Sequence, residues 1–497
     1  MFFEFRVMID AVGEWRKPKN AMRPRSRLRR AVYRLWRFAL GLARSPVIRV
    51  VPLATVLVVE CVDFITFDAV RFGSDVMYHQ RTTGKVEDES ARARAESIQK
   101  IFQAFAYGTA LILTLPVLRS AASFFYRERA FLVLSAVVLL SVFVSDYPMK
   151  VVTNTVHLVL GLLVAYLYVS SVRSRDDVIR SVQWAVVLCT GAIHLISIGY
   201  WISLGLASGI GSLTSGLRYG GFAGNPNSMG SVCMLCCWAG FGLMASDAVS
   251  RPARVLAGAF CIAAVISAVL ADSVTTYVVI AGLACLTSWF YFIGRLAART
   301  QIVVNAVLVS GGILMVPVLL YVQAQGSLLG SASETLTGDE SLTGRTEIWE
   351  TGMAAFVERP LFGWSYDSHQ TVFDDSRFTI PYFQYHNGFV DTLVTGGVVL
   401  LGLLIWILLL ALMRCRVVSK LGMPVSAVLS CTALLLVQNL SEYSIMRPLS
   451  PIWHVYTVCA VAVAFLALSN ANVPLGGRVQ TRKLPTSSRS KKLAYRF

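Results

Sequence analysis

The chain has 497 residues, of which 55% are hydrophobic and only 15% charged, and its mean hydropathy is +0.62. Soluble domains usually carry about 25% charged residues. These values exclude a soluble globular protein and predict an all-α polytopic integral membrane protein. The net charge of +17 would suggest a nucleic-acid partner for a soluble chain. In a membrane chain it indicates which loops face the cytoplasm, so no nucleic-acid partner is expected.

The apolar runs predict twelve membrane-spanning helices, nine before a long polar loop and three after it. The predicted spans are 47–66, 101–118, 130–145, 151–171, 181–205, 227–246, 255–272, 274–294, 302–322, 393–413, 422–440 and 450–469. The chain thus divides into a basic segment 1–46, spans one to nine (47–322), the loop 323–392, spans ten to twelve (393–469) and a basic tail 470–497.

The charges between the spans follow the positive-inside rule. With a cytoplasmic N-terminus, the cytoplasmic stretches carry a net charge of +26 and the remainder −9. Most of the negative charge lies in 323–391, which has ten acidic residues against three arginines. The first 49 residues contain 13 Lys and Arg, as expected of a juxtamembrane segment on anionic lipid. We therefore predict that both termini are cytoplasmic and that the loop 323–392 lies outside.

The outer connection between spans five and six is a Gly-rich segment, residues 215–227. Its Gly, Asn and Pro residues permit tight turns, and Gly-rich backbone exposes N–H groups that can bind an anion. Arg218 is its only charged residue, and Asn227 ends it. The alternative is a plain interhelical turn with an arginine that reaches to the membrane surface.

The loop 323–392 contains an amphipathic helical pattern over 345–356. Trp349, Met353 and Phe356 form the predicted apolar stripe, and Pro360 ends the helix. This helix is expected to lie on the outer membrane surface or to cap the bundle. Arg345 is placed in the first helical turn, where free N–H groups favour phosphate. The alternative is an amphipathic helix with an exposed arginine at its start.

His386 and Asn387 stand just before span ten, at the predicted membrane interface. A single histidine there is more often a hydrogen-bonded interfacial side chain than a catalytic group, although Asn387 can orient it. Glu442 and Arg447 stand near the outer end of span eleven and are interpreted as an ion pair, with the alternative that they line the same cavity as His386.

The sequence offers two further candidate ligand groups, and for both a structural role is the preferred interpretation. Asp374 and Asp375 are interpreted as a solvated turn rather than a metal pair, because no partner ligands stand near them. Cys233, Cys236 and Cys237 are interpreted as packing residues. No metal or cofactor is predicted.

Taken in order, these motifs resemble the family of bacterial O-antigen ligases and lipid-linked polysaccharide polymerases. The resembling stretches are Arg218–Asn227, Thr343–Trp349, Pro360–Gly363, His386–Gly388 and Leu393–Gly402. The resemblance implies a bacterial inner-membrane glycosyltransferase with a periplasmic active site. Its donor would be a glycan on undecaprenyl pyrophosphate, and its acceptor a second lipid-linked glycan or lipid A-core.

The resemblance also implies roles for particular residues. Arg218 and Arg345 match the arginines that hold the pyrophosphate, and His386 matches the histidine assigned to the acceptor. Asn227 and Asn387 stand in the same motifs as further substrate contacts. Two guanidinium groups can neutralise a pyrophosphate leaving group without a metal, and a histidine of ordinary pKa can remove the acceptor proton. A single displacement with inversion is expected.

Two stretches favour a polymerase over a ligase. Gly338–Trp349 is similar to exopolysaccharide polymerases, and Asp272–Tyr277 is similar to their Ser/Thr-rich sequence and lacks the arginine of many ligases. Polysaccharide export or chain-length proteins are expected partners. A membrane transporter is the remaining alternative. It is disfavoured because the polar motifs gather at the outer rim rather than at the bilayer midplane.

Overall fold

A computed structural model describes residues 46–62, 89–172, 177–208, 220–224, 226–293, 341–366, 372, 375–378, 385–419, 425–440, 442–447 and 449–471. Throughout these ranges the regular structure is helical, and they contain no β-strand. The predicted all-α class is therefore confirmed for the part of the chain described.

The helices follow the order of the predicted spans. Before the long loop they are α1 Pro46–Cys61, α2 Glu89–Thr114, α3 Leu118–Arg127, α4 Arg129–Leu140, α5 Pro148–Ser171, α6 Val178–Ser208, α7 Pro226–Ala245, α8 Arg251–Ala271 and α9 Val274–Ile293. In and after the loop they are α10 Ser341–Glu358, α11 Gly388–Ser419, α12 Val425–Gln438 and α13 Pro451–Ala471. Short 3-10 turns at Leu115–Val117 and Ser141–Val144 follow α2 and α4.

Within the described residues, eight helices are long and apolar enough to cross a membrane. They are Glu96–Arg127, Pro148–Ser171, Val178–Ser203, Pro226–Ala245, Arg251–Ala271, Thr275–Phe292, Gly388–Cys415 and Pro451–Ser469. Arg129–Val144 and Val425–Gln438 are apolar but shorter. Predicted span nine, 302–322, lies outside the described residues. The protein is a multi-pass membrane protein, while the total of twelve spans and the periplasmic position of the loop stay predictions.

Helix α7 lies at the centre of the bundle. It is apolar on all sides, and most of its side chains are buried against neighbouring helices. Cys233, Cys236 and Cys237 are all fully buried in it and are free thiols. The indole N–H of Trp238 donates to the carbonyl of Ala427 in α12 at 2.9 Å. The cysteines thus take part in helix packing, as the sequence indicated.

Helix α11 runs between the two ends of the bundle and serves to define them. It begins at Gly388, directly after the His386 loop. Near its other end, Arg414 Nη1 lies 2.6 Å from the buried carboxylate of Glu128, between α3 and α4. The 26 steps from Gly388 to Arg414 correspond to a rise of about 39 Å in an unbroken helix, more than the roughly 30 Å of a bilayer core. We call the two ends of the bundle the His386 end and the Arg414 end.

A break in α11 at Gly397 joins this helix to the segment that follows α10. Gly397 has φ +64° and ψ −168°, so the helical hydrogen bonds are interrupted there. The N–H groups of Val398 and Val399 instead donate to the carbonyls of Pro360 and Leu361, at 2.9 and 3.2 Å. A β-carbon on Gly397 would lie 2.3 Å from the Leu361 oxygen. The Pro360–Gly363 and Leu393–Gly402 motifs therefore fit together as one structural unit.

Candidate functional site

His386 lies in a short, constrained loop before α11. Its φ of +48° is in the left-handed region, which is uncommon for a residue with a β-carbon. Asn387 Oδ1 accepts hydrogen bonds from the N–H groups of Phe389 and Val390 at 3.0 and 3.1 Å, so Asn387 caps the N-terminus of α11. Asn387 therefore sets the start of the helix that positions His386, a role that the sequence did not predict.

The His386 loop is also fixed to the end of α12. The N–H of Gly388 donates to the carbonyls of Asn439 and Glu442 at 2.9 and 3.1 Å. A β-carbon on Gly388 would lie 2.1 Å from Asn439 Oδ1, so this close approach requires glycine. The left-handed backbone of His386 is thus held by contacts on its C-terminal side.

The side chain of His386 faces a carboxylate. Its Nδ1 lies 3.5 Å from Glu442 Oε2, and both side chains are less than one fifth exposed. The guanidinium of Arg447, in contrast, lies over the ring of Tyr443 at 5.5 Å. This contact agrees with the alternative interpretation, a position of Glu442 beside His386, rather than with the preferred ion pair with Arg447. The only signal for it in the sequence was an acidic residue at the same predicted rim.

Helix α10 packs directly against this loop. The indole N–H of Trp349 donates to the carbonyl of Tyr385, the residue before His386, at 2.9 Å. A β-carbon on Gly352 would lie 2.9 Å from the Tyr385 ring, so the two elements are in close contact. Burial raises the pKa of the Tyr385 hydroxyl above its ordinary value. The helix therefore caps the bundle at the His386 end.

The buried face of α10 differs from the predicted stripe. Ile348, Gly352 and Ala355 are buried, whereas Met353 is 39% exposed. The predicted stripe is therefore shifted by one position from the buried face. The prediction was based on large apolar side chains, whereas small residues allow a neighbouring element to pack most closely. Trp364 Nε1 donates to the Ala355 carbonyl at 2.7 Å, which shows how close that approach is.

Arg345 lies on α10, but not in its first turn. The helix begins at Ser341, so Arg345 is its fifth residue and comes after the four N–H groups that lack helical partners. The sequence pattern missed this first turn because Ser, Thr and Gly carry no apolar periodicity. Asp339 and Glu340 precede Ser341 in the sequence, and acidic residues near a helix N-terminus favour an earlier start. Only the backbone of Arg345 is described.

Asn227 lies in the first turn of α7, half-buried at the same end of the bundle. A polar network leads from this turn to α12. Ser231 Oγ donates to the Asn227 carbonyl at 3.3 Å and accepts from Gln438 Nε2 at 2.9 Å. Ser444 then donates to Gln438 Oε1 and accepts from Asn439 Nδ2, at 2.6 and 2.7 Å. The carbonyl of Asn439 completes the connection by accepting from the His386 loop.

The Asp272–Tyr277 segment reaches the same region. Asp272 ends α8 in a left-handed conformation, and the buried hydroxyls of Ser273 and Thr276 face α7. A β-carbon on Gly230 would lie 2.1 Å from Thr276 Oγ1 and 3.6 Å from Ser273 Oγ. The Ser/Thr-rich motif is therefore close to the turn that carries Asn227.

Arg218 and Asp374 lie outside the described residues. The following part of the Gly-rich segment is described, and Gly221–Ala223 form a buried 3-10 turn against α6 and α7. Asp375 binds the guanidinium of Arg377, with Arg377 Nη2 at 2.6 Å from Oδ2, and Arg377 also contacts Glu358 at 2.8 Å. The Arg377 guanidinium lowers the pKa of Asp375 to about 2. Asp375 thus belongs to an exposed ion-pair cluster.

The described residues contain no group of three or more His, Cys, Asp or Glu side chains arranged to hold a metal ion. The absence of a metal from the reaction stays a prediction.

The described site thus joins four segments at one end of the bundle, namely α10, the His386 loop, the end of α12 and the start of α7. Residues 259–407 match the family model described as O-antigen ligase. This part of the chain is similar to the O-antigen ligase family. The match includes Arg345, His386 and Asn387, while Asn227 and Glu442 lie outside it. The family resemblance predicted from the motifs is confirmed, and it indicates a membrane glycan function of the O-antigen ligase or polymerase type. A comparison with curated proteins gave no match.

Proposed function

We propose that the protein is a membrane glycosyltransferase that polymerises oligosaccharide repeats carried on undecaprenyl pyrophosphate. The observation that carries this proposal is the docking of α10 against the His386 loop through the Trp349–Tyr385 hydrogen bond. Trp349 stands one helical turn after Arg345, and Tyr385 immediately precedes His386. The two residues with proposed roles in bond breaking and proton transfer are thus carried by elements in direct contact, inside the family match.

In this proposal Arg218 and Arg345 bind the pyrophosphate of the donor, and Asn227 and Asn387 lie beside the substrate. A planar guanidinium forms two parallel hydrogen bonds to phosphate oxygens and stays charged. It therefore stabilises the negative charge that grows on the leaving group as the bond to the anomeric carbon breaks. These charges make a metal unnecessary.

His386 acts as the general base. With Nδ1 facing Glu442, the proton of the neutral ring resides on Nδ1 and leaves Nε2 to accept the proton of the acceptor hydroxyl. The hydroxyl oxygen attacks the anomeric carbon, the C–O bond to pyrophosphate breaks, and its electron pair leaves with the phosphate. One displacement inverts the anomeric centre. Glu442 orients the imidazole and stabilises its charged form; the 3.5 Å contact can shorten when substrate binds.

An exposed apolar stripe beside the site supports a lipid-linked substrate. Met353 and Val357 are about one turn apart on α10, Leu361 follows the end of that helix, and Val357 and Leu361 are at least 60% exposed. Phe362 is also exposed, and with these residues it forms an apolar set at the end of α10, the helix that packs against the His386 loop. Such a surface suits the outer membrane interface and a polyisoprenyl chain.

The family description favours a ligase as the second candidate, with the same chemistry and lipid A-core as acceptor. A strain lacking the gene distinguishes the two. Loss of long chains with single repeats still attached to the surface supports the polymerase. Long chains that accumulate on the lipid carrier contradict it and support the ligase. Purified protein that elongates lipid-linked repeats in vesicles gives the direct test, and solute transport without elongation would favour a transporter.

A further inference from the structure

A cavity in the described part of the protein lies far from His386. Its volume is about 560 Å³, within the range of small-molecule sites. Arg49 of α1 and Arg119 and Arg127 of α3 line it, together with four serines and Tyr166. Phe124 and Phe465 form part of its apolar wall, with ring centroids 6.0 Å apart.

This cavity is at the Arg414 end of the bundle. Arg127 is next in sequence to Glu128, which pairs with Arg414 near the end of α11. Arg49 lies in the first turn of α1, and Ser469 near the end of α13. About 39 Å of helix separates this end from Gly388, so the cavity is distinct from the His386 site. The positive-inside pattern predicts that this end faces the cytoplasm.

The lining of the cavity combines a phosphate-binding set with a lipid-like wall. Three arginines line the cavity, and no acidic residue does. Arg49 is only 6% exposed and donates to Ser170 Oγ at 2.9 Å, so one of these positive charges is largely withdrawn from water. Arginine forks and serine hydroxyls are the donors that phosphate oxygens accept from, while the aromatic wall suits the start of an acyl chain.

We propose that this cavity binds a phosphate-bearing anion at the membrane surface. Two sources share this chemistry, the headgroup of an anionic phospholipid and soluble phosphate. Basic pockets between transmembrane helices on the cytoplasmic side are suited to anionic headgroups, because they combine positive charge with access to the hydrocarbon region. The cavity is independent of the proposed transfer reaction, so its test does not depend on activity.

The test uses the purified full-length protein in neutral detergent. Native mass spectrometry measures binding of phosphatidylglycerol, with phosphatidylcholine as the zwitterionic control. The double variant Arg119→Gln with Arg127→Gln removes two exposed charges of the cavity. Its matched control, Arg129→Gln with Arg251→Gln, removes two arginines that do not line it. Thermal unfolding confirms that both variants are folded.

We expect phosphatidylglycerol to bind better than phosphatidylcholine, and the cavity variant to bind it about tenfold more weakly, while the control variant matches the wild type. A second titration adds inorganic phosphate. Displacement of the lipid indicates that the site also takes soluble phosphate, whereas retention identifies the headgroup as the source. Equal binding of the two lipids, or equal binding of phosphatidylglycerol by wild type and cavity variant, overturns the proposal.

Discussion

His386 Nδ1 lies 3.5 Å from Glu442 Oε2, although His386 precedes predicted span ten and Glu442 follows predicted span eleven, 56 positions later. The contact exists because the N–H of Gly388 binds the carbonyls of Asn439 and Glu442. The same backbone bonds hold His386 in a left-handed conformation. Left-handed backbone at a residue with a β-carbon is unfavourable and is found where the surrounding structure enforces it, often at active sites.

Replacement of His386 separates its role in activity from its role in folding. His386→Gly removes the left-handed penalty, which offsets the greater freedom of glycine in the unfolded chain, so stability should change by less than about 1 kcal/mol. Activity should fall by about 10²–10⁴-fold, because the general base is lost. Thermal unfolding in detergent and elongation of lipid-linked repeats measure the two effects. His386→Val, a β-branched control, should be both inactive and less stable. Full activity of His386→Gly would remove the general-base assignment.

Replacement of Glu442 tests the positioning role. Glu442→Gln keeps the shape of the side chain and removes its charge, so it should lower kcat by about tenfold or more without raising KM. A changed KM with an unchanged kcat would show that Glu442 contacts substrate instead. Arg447→Gln is the matched control, because this residue is close in sequence and stacks on Tyr443. It should keep more activity than Glu442→Gln.

The packing of α10 can be tested at Gly352. A valine there would collide with the Tyr385 ring, so Gly352→Val should displace the helix from the His386 loop. We expect at least tenfold loss of elongation activity with retained membrane insertion. Ala354→Val is the matched control, because Ala354 is exposed on the same helix. Equal activity of the two variants would show that the docking of α10 is not needed.

The break in α11 can be tested with a pair of glycines in one helix. Gly397→Ala places a methyl group against the Leu361 carbonyl and forces alanine into a left-handed φ, so it should destabilise the protein by about 1–3 kcal/mol. At Gly402 a β-carbon would meet nothing within 4 Å. Gly402→Ala should be neutral or slightly stabilising, since alanine favours the helix. Denaturant titration in detergent compares the two variants, and similar losses for both would contradict the proposed constraint.

The Asp375–Arg377 pair gives a pH test. The folded-state pKa of Asp375, about 2, is below the unfolded value of about 3.9. The stabilisation from this carboxylate is therefore present above about pH 4 and is lost as the pH falls towards 2. The stability difference between wild type and Asp375→Asn should be constant from pH 5 to 8 and shrink below pH 4. A difference that varies between pH 5 and 8 would contradict this assignment.

The fold followed from hydropathy because length and apolar content define membrane helices with few alternatives. Proline and glycine also predicted helix ends that the structure contains, such as the end of α10 before Pro360. The buried face of α10 was not predictable from hydropathy, because Gly352 and Ala355 allow a neighbouring element to pack closely and add little hydrophobic area. The period of the hydrophobic residues indicates which face of a helix carries the larger apolar side chains. It does not indicate which small residues a neighbouring element contacts.

The site was predictable residue by residue only where a family motif exists. His386 and Asn387 were proposed as site residues in this way, while the position of Glu442 beside His386 depends on a fold that brings the end of α12 to that loop. The hydrogen-bond network through Ser231, Gln438 and Ser444 could not be predicted either, because it also depends on how the helices pack. Single polar residues in apolar helices carry no signal of their partners until the helices are packed.

The break at Gly397 constrains how this protein can be recombined with its relatives. The carbonyls of Pro360 and Leu361 take the place of a helical turn for Val398 and Val399, so the two stretches form one hydrogen-bonded module although almost forty residues separate them. A chimaera that joins two parents between 361 and 397 would pair one parent's carbonyls with the other parent's helix. Exchange of the whole block from Ser341 to Arg447 keeps these two stretches, and the His386–Glu442 contact, with the same parent.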